Sequence, residues 1–380
     1  MMEALSGGQI FDGQSIINDC AVLIEYDKIV SVIPISDIPQ VAKVIDLEGS
    51  LLAPGFIDIQ VNGGGGVMLN DKPDVDTLKT IAESHRQFGT TAMLPTLISD
   101  DFLTMRATAD VISKARQQKI PGIIGVHFEG PYLNIKRKGV HDPLKIRPFE
   151  DQAKALYCEP DLGVVIATLA PENCPEGLIR ELSESGVRVF AGHTAANYKE
   201  IKHAITEGLI GFTHLFNAMT PMESRAPGVV GAALEDAETW CGLIVDGIHV
   251  HPATLKVAIS AKQAGKMVLV TDAMPTVGAV EQTFTIRGET ITAIDGVCAT
   301  AEGTLSGSDL NMASAVRNTV ELLGQPIEEA LRMASLYPAE LLGLSSNVGQ
   351  IKTGFQADLV LLDNALRVKR TWIAGQVQFH

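Results

Sequence analysis

The sequence predicts an α/β protein: a (β/α)8 TIM-type barrel with a small β-sandwich-like domain built from both chain ends. Three observations carry that expectation. The middle of the chain alternates short apolar, β-branched runs with helix-like segments. Both ends hold only short alternating runs and turns. The length of 380 residues suits one barrel of roughly 250 residues plus a smaller module.

In chain order, the first strand candidates are Ala21–Glu25 and Lys28–Ile33, flanking Tyr26-Asp27, and then Lys43–Leu47. Asp358–Leu362, Arg367–Ile373 and Gln376–Phe379 repeat the pattern at the other end. Segments 1–53 and 345–380 are therefore expected to pair into one β domain, leaving 54–344 as the barrel. Its strands begin near Gly55, Thr91, Ile123, Val164, Val187, Phe212, Gly242 and Met267. Helices are predicted over Val75–Phe88, Asp101–Gln118, Glu176–Ser185, Tyr198–Glu207 and Pro252–Ala264. Several stop at glycine (Gly89, Gly186, Gly208, Gly265), as a helix does before the next strand. A β insertion near 281–305 follows the eighth strand, and helices near Asp309–Leu323 and Ile327–Leu342 close the barrel.

Composition narrows the function. Apolar residues at 46 % and charged residues at 20 % fit a well-packed globular protein. A net charge of -15 argues against a nucleic-acid partner, and any anionic substrate must be held by a few local cations. The five cysteines (Cys20, Cys158, Cys174, Cys241, Cys298) are odd in number and never paired as CxxC, which fits reduced thiols in a cytoplasm. No signal-peptide pattern or membrane-length apolar run is evident, so a cytoplasmic protein without membrane partners is expected. The glycines Gly63–Gly66 lack the Lys-Ser/Thr of a P-loop.

Ionisable residues cluster where the predicted strands end, the face on which barrel active sites are built. Strand one gives Asp58-Ile59-Gln60 and then Asn62; strand three gives His127-Phe128-Glu129, with His141 in its loop. Strands five and six end in His193 and His214, strand seven in Asp246-Gly247-Ile248-His249, and strand eight in Thr271-Asp272. One Glu and two neutral His leave an open position on a zinc-like ion, and Asp272 could take a proton from water. Any one of these histidines has a bland reading as a loop hydrogen-bond partner. His85 and His203 are expected to be packing or surface residues.

The segments Leu52–Gly66, His127–Asn134 (HFEGPYLN), Ala191–Thr194 (AGHT), Thr213–Met219 (THLFNAM), Asp246–Val250 (DGIHV) and Val270–Met274 (VTDAM) resemble the N-acetylglucosamine-6-phosphate deacetylases of the amidohydrolase superfamily. The resemblance spans essentially the whole chain. It implies Glu129, His193 and His214 as ligands of one divalent metal per subunit, with zinc placed ahead of Fe, Co or Mn. It implies Asp272 as general base and acid, and His141 as the group that polarises the acetamide carbonyl. Asn217, Ala218, Arg225 and His249 match positions that hold the sugar phosphate or hydroxyls, partly across a dimer interface, and Ser306 is a looser match; a homodimer or homotetramer is expected. Many amidohydrolases carry His-x-His on strand one. Gln60 stands there instead, which points to the mononuclear branch. The rivals are an amidohydrolase acting on a cyclic amide or another N-acetyl amino sugar, and a catalytically silent barrel used for assembly.

Overall fold

The computed structural model describes residues 2–380. Eight parallel strands form one sheet in sequence order: β1 (Phe56–Val61), β2 (Thr90–Ile98), β3 (Gly125–Glu129), β4 (Val164–Leu169), β5 (Arg188–Ala191), β6 (Gly211–Phe212), β7 (Trp240–Leu243) and β8 (Met267–Leu269). Parallel register runs Glu129↔Thr168, Leu169↔Ala191, Ala191↔Phe212, Phe212↔Cys241 and Leu243↔Leu269 around it. The sheet closes beyond β8. Val61 bridges Ala273 in parallel, the Asp272 amide donates to the Gln60 carbonyl (3.0 Å), and the Asn62 amide donates to the Ala273 carbonyl (2.9 Å). The predicted TIM-type barrel is the observed fold.

Helices connect the strands: α1 (Val75–Arg86), α2 (Phe102–Gln117), α3 (Asp151–Tyr157), α4 (Leu178–Glu184), α5 (Tyr198–Thr206), α6 (Gly228–Glu235) and α7 (Pro252–Ala261). Their starts follow from local chemistry. Asp101 accepts the Thr104 amide at the head of α2. Asn197 and Glu200 exchange hydrogen bonds in a capping box at the head of α5. Gly89 (φ 90°) and Gly208 (φ 107°) end α1 and α5 in the left-handed region, where a side chain would be strained. The structure adds two helices for which no helix is predicted, α3 and α6. Helix α6 is Gly-Val-Val-Gly-Ala-Ala-Leu-Glu with seven of its residues buried, so it lacks the polar face that makes a helix visible in sequence.

The chain divides into two compact units. One comprises Met1–Asp58, His85–Ala92 and Asn311–His380. It holds a four-stranded sheet (Met2–Ser6, Cys20–Glu25, Lys28–Pro34 and Lys43–Asp46) and a six-stranded sheet in which Leu359–Leu362 from the C-terminal end pairs antiparallel with Leu51–Pro54. Leu5, Val22, Ile24 and Leu52 meet Leu359, Leu361 and Trp372 in one apolar core, so both chain ends build a sandwich-like domain as expected. Helices α8 (Met312–Glu321), α9 (Ile327–Ala334) and α10 (Leu336–Leu341) belong to the same unit.

Asp358 is buried in this unit, accepting the Ala374 amide (2.7 Å) and the Gln356 side-chain amide (2.9 Å). Burial pushes its carboxyl up to about 6. A raised carboxyl pKa means the folded state holds its proton to higher pH than the unfolded state. Stability from this group is therefore expected to fall as pH rises from about 4 to about 6, by on the order of 3 kcal/mol at most. Asp358→Asn should flatten that slope in melting temperature and raise Tm at pH 7; an unchanged profile would contradict it.

The second unit, Ile59–Ser84 and Met93–Leu310, carries every candidate site residue except Asp58. Its antiparallel insertion (Thr283–Ile286, Glu289–Ile294 and Val297–Cys298) packs Phe284, Ile286 and Ile291 on Met68, Ile98 and Met274.

Candidate active site

Glu129 ends β3, and His193 and His214 stand just beyond β5 and β6. Their ligand-type atoms converge. The Nε2 atoms of His193 and His214 lie 3.1 and 3.0 Å from Glu129 Oε1 and 3.1 Å from each other. All three residues are buried. His193 Nδ1 donates to the Arg137 carbonyl (2.8 Å), which leaves the lone pair of a neutral imidazole on Nε2. Three acceptor atoms this close repel one another unless a proton or a cation sits among them. One carboxylate and two imidazoles are a donor set suited to a divalent transition ion, so these residues fit a metal. Burial opposes the charge on Glu129, yet the two imidazoles hold its carboxyl well below the usual carboxylate range.

Asp272 follows β8. Its Oδ1 accepts from Asn62 Nδ2 (2.7 Å) and Gln60 Nε2 (3.1 Å), which leaves Oδ2 as the oxygen open to a further proton. Gln60 Nε2 also donates to Glu129 Oε2 (3.1 Å), so one amide ties two carboxylates together. Burial, and then the nearby Glu129 charge, raise the Asp272 pKa.

His141 is fixed differently. Its Nδ1 accepts the Ser99 backbone N–H (3.2 Å) and lies 2.7 Å from the Ser99 hydroxyl. A backbone N–H can only donate, so Nδ1 carries the lone pair and the imidazole proton sits on Nε2. Burial, reinforced by His193, holds its pKa well below the ordinary value, consistent with a neutral donor. His127 lies among the barrel strands. It bonds the Ile59 carbonyl (3.0 Å) and the Thr168 hydroxyl (2.7 Å), and burial depresses it to about 4. It is a satisfied interior residue.

The backbone here is unusual. His193, His214, Ala218 and Asp272 have φ of 46°, 30°, 52° and 52°. Left-handed backbone at non-glycine residues costs on the order of 1 kcal/mol or more each, and here it occurs at the turns leaving the strand ends.

A cleft of about 380 Å³ gathers Glu129, His141, His193 and His214 with Asn217, Ala218, His249 and Asp272. Two residues predicted for substrate stand elsewhere. Arg225 is exposed and lines a separate cavity of about 660 Å³ that shares only Arg137 with the cleft. Ser306 is buried with its hydroxyl unpartnered, while Leu305 and Gly307 on either side line the cleft. Sequence reasoning missed Lys136 and Arg137, which line the cleft from the loop after β3. The run Lys136-Arg137-Lys138 in an acidic chain was the signal that could have found them.

Residues 51–377 match the amidohydrolase family, and residues 2–52 match the NagA composite domain. The chain belongs to the amidohydrolase family. Among amidohydrolases, a similar relative is an N-acetylgalactosamine-6-phosphate deacetylase of Shewanella sp. (strain ANA-3), 43 % identical over 333 residues that span 88 % of this chain and 84 % of that protein. The N-acetylglucosamine-6-phosphate deacetylase of Haemophilus influenzae is 35 % identical over 379 residues, 99 % of each chain. Among solved amidohydrolase structures, the N-acetylglucosamine-6-phosphate deacetylase of Pasteurella multocida superposes with a TM-score of 0.96 at 36 % identity, covering 100 % of both chains.

Proposed function

We propose that this amidohydrolase removes acetate from N-acetyl-D-glucosamine 6-phosphate, giving D-glucosamine 6-phosphate, in amino-sugar breakdown or recycling. The observation that carries the proposal is the buried Glu129, His193 and His214 cluster in one cleft with Asp272, in a chain whose full-length relatives are deacetylases of this kind. Glu129, His193 and His214 would hold one divalent ion, zinc ahead of Fe, Co or Mn. When bound, the ion supplies Lewis acidity, which acidifies water and polarises a carbonyl oxygen.

The chain's own residues do the rest. Asp272, with Oδ1 fixed by Asn62 and Gln60, accepts the proton of the attacking water at Oδ2. The same oxygen then donates that proton to the departing sugar nitrogen, because an amine anion is too poor a leaving group. His141 donates its Nε2–H to the carbonyl oxygen as negative charge grows there, and Ser99 keeps the proton on that nitrogen. Lys136 and Arg137 give the cleft positive charge in a protein of net charge -15. Ala218, on the turn after β6, offers its backbone N–H to the phosphate, while the Asn217 N–H holds that turn by donating to the His214 carbonyl (3.0 Å).

We infer that the enzyme is a cytoplasmic homodimer or homotetramer in which Arg225 serves the cleft of a partner subunit. No helix among the described residues is long and apolar enough to cross a membrane. Light scattering on the purified protein tests the assembly, and a monomer would refute it. The 43 % identical relative that bears an N-acetylgalactosamine name supports a second reading, in which the 4-epimer is also a substrate. Acetate release from both phosphorylated epimers, with and without chelator, tests the function; release from neither would overturn it.

The phosphorylated sugar is expected to be strongly preferred over plain N-acetylglucosamine, and Arg225→Met is expected to erode that preference. A guanidinium is a permanently charged donor fork suited to phosphate. The variant should lose kcat/KM on the phosphorylated sugar and change little on the plain one. Equal losses on both would make Arg225 structural.

A further inference from the structure

Asp246 stands three residues beyond β7 and is not part of the cleft lining, whereas His249 is. The two side chains are buried together, at 6 % and 7 % exposure. Asp246 Oδ1 accepts the backbone N–H groups of Ile248 (2.8 Å) and His249 (2.9 Å), and Oδ2 lies 2.6 Å from His249 Nδ1. Gly247, at φ 77°, lets the chain turn back so that one carboxylate reaches both amides and the ring.

That arrangement fixes a proton. Both carboxylate oxygens act as acceptors, so the hydrogen in the 2.6 Å contact belongs to His249 Nδ1. The ring is pinned at that atom, and Nε2 makes no hydrogen bond to protein among the described residues. It is the mirror image of His141, whose Nδ1 accepts from a backbone N–H. Burial works against the Asp246 charge, but the His249 contact and the two amides hold its carboxyl below the usual range. The carboxylate thus stays an acceptor at neutral pH.

We propose that Asp246 is a positioning residue that acts on the substrate only through His249, keeping the ring proton on Nδ1 so that Nε2 faces the cleft as the acceptor for a sugar hydroxyl. This rests on the deacetylase reading of the same cleft. Such a role predicts a loss that vanishes once His249 is gone, whereas a merely structural Asp246 would cost the same in either background.

Asp246→Asn is the suited probe, because its amide oxygen can still accept both backbone N–H groups while its NH2 donates to His249 Nδ1 and forces the proton to Nε2. The holoenzyme is assayed for acetate release on phosphorylated N-acetylglucosamine or N-acetylgalactosamine, whichever the wild type turns over faster. Asp246→Asn is expected to lower kcat/KM by about 10-fold or more, mainly through KM, the scale of one misplaced hydrogen bond. In the His249→Ala background the same change is expected to alter kcat/KM less than 2-fold, against the roughly 10-fold scale of a single hydrogen bond. Equal losses in both backgrounds, or no loss in wild type, would overturn the proposal. If Asp246→Asn fails to fold, Asp246→Ser, whose hydroxyl can still accept a backbone N–H, takes its place in the same cycle. A second readout needs no activity: in 15N-histidine-labelled protein, His249 Nδ1 should carry the protonated-type shift, and an unprotonated Nδ1 would overturn the proposal. Failure of the deacetylase reading would look different, as a wild type that releases no acetate from either epimer while His249 keeps its Nδ1 proton.

Discussion

Asp272→Asn is expected to retain its metal and its fold while losing about 10²- to 10⁴-fold in kcat. The side chain accepts through Oδ1 from Asn62 and Gln60, and an amide oxygen can go on accepting both bonds. What the substitution removes is the second oxygen, the one that takes the water proton and returns it to the leaving nitrogen. Both halves of the reaction need that oxygen, so one change should slow attack and departure together. Because the interaction is made mainly in the transition state, KM should move far less than kcat. Turnover is measured beside metal content and Tm. A variant with full metal, normal Tm and near-normal turnover would show that another group carries the proton. Loss of the ion along with activity would instead make Asp272 a ligand.

Side chains placed at the predicted strand ends meet in one cleft because barrel strands are short, parallel and in sequence order. A residue's place at a strand's C-terminal end then fixes which rim it occupies. Glu129, His193, His214, His249 and Asp272 could be gathered on that logic alone. The sequence could not reveal how the rim is strained or wired. The left-handed φ of His193, His214 and Asp272 falls on residue types that adopt it more readily than most, but nothing in the spacing marks which histidine or aspartate will do so. Gln60, visible only as a missing histidine, proves to bridge Glu129 and Asp272. Ser99, with no signal beyond its place after β2, sets the tautomer of His141. Arg225 follows β6 in the chain, but its loop carries it to a cavity apart from the cleft. Loop course is what spacing along a sequence cannot supply. His85 and His203 divide as their helix positions suggest, one fully buried and the other mostly exposed beside Glu207.

One divalent ion per chain is expected in the purified protein, and His193→Ala or His214→Ala should each lose it, along with essentially all deacetylation. Mutating groups that merely orient a ligand already costs roughly 10- to 100-fold in affinity, so deleting one of three ligands should cost at least as much. The reason for a single ion lies in Glu129 and Gln60. Glu129 directs Oε1 at both imidazoles, while its Oε2 already accepts from Gln60 Nε2 at 3.1 Å. A second ion on that side would meet an N–H donor where a binuclear site needs a lone pair. No other group of three His, Cys, Asp or Glu among the described residues converges closely enough to hold an ion. Elemental analysis after dialysis gives the stoichiometry, and titrating metal back into chelated protein should restore activity in step with the first equivalent. The ion should also stabilise the fold, by about 4 kcal/mol when present at a thousandfold excess over its Kd, so Tm should rise as activity returns. Two ions at full occupancy, with activity needing both, would overturn the mononuclear assignment and reassign Gln60 from carboxylate tether to ligand.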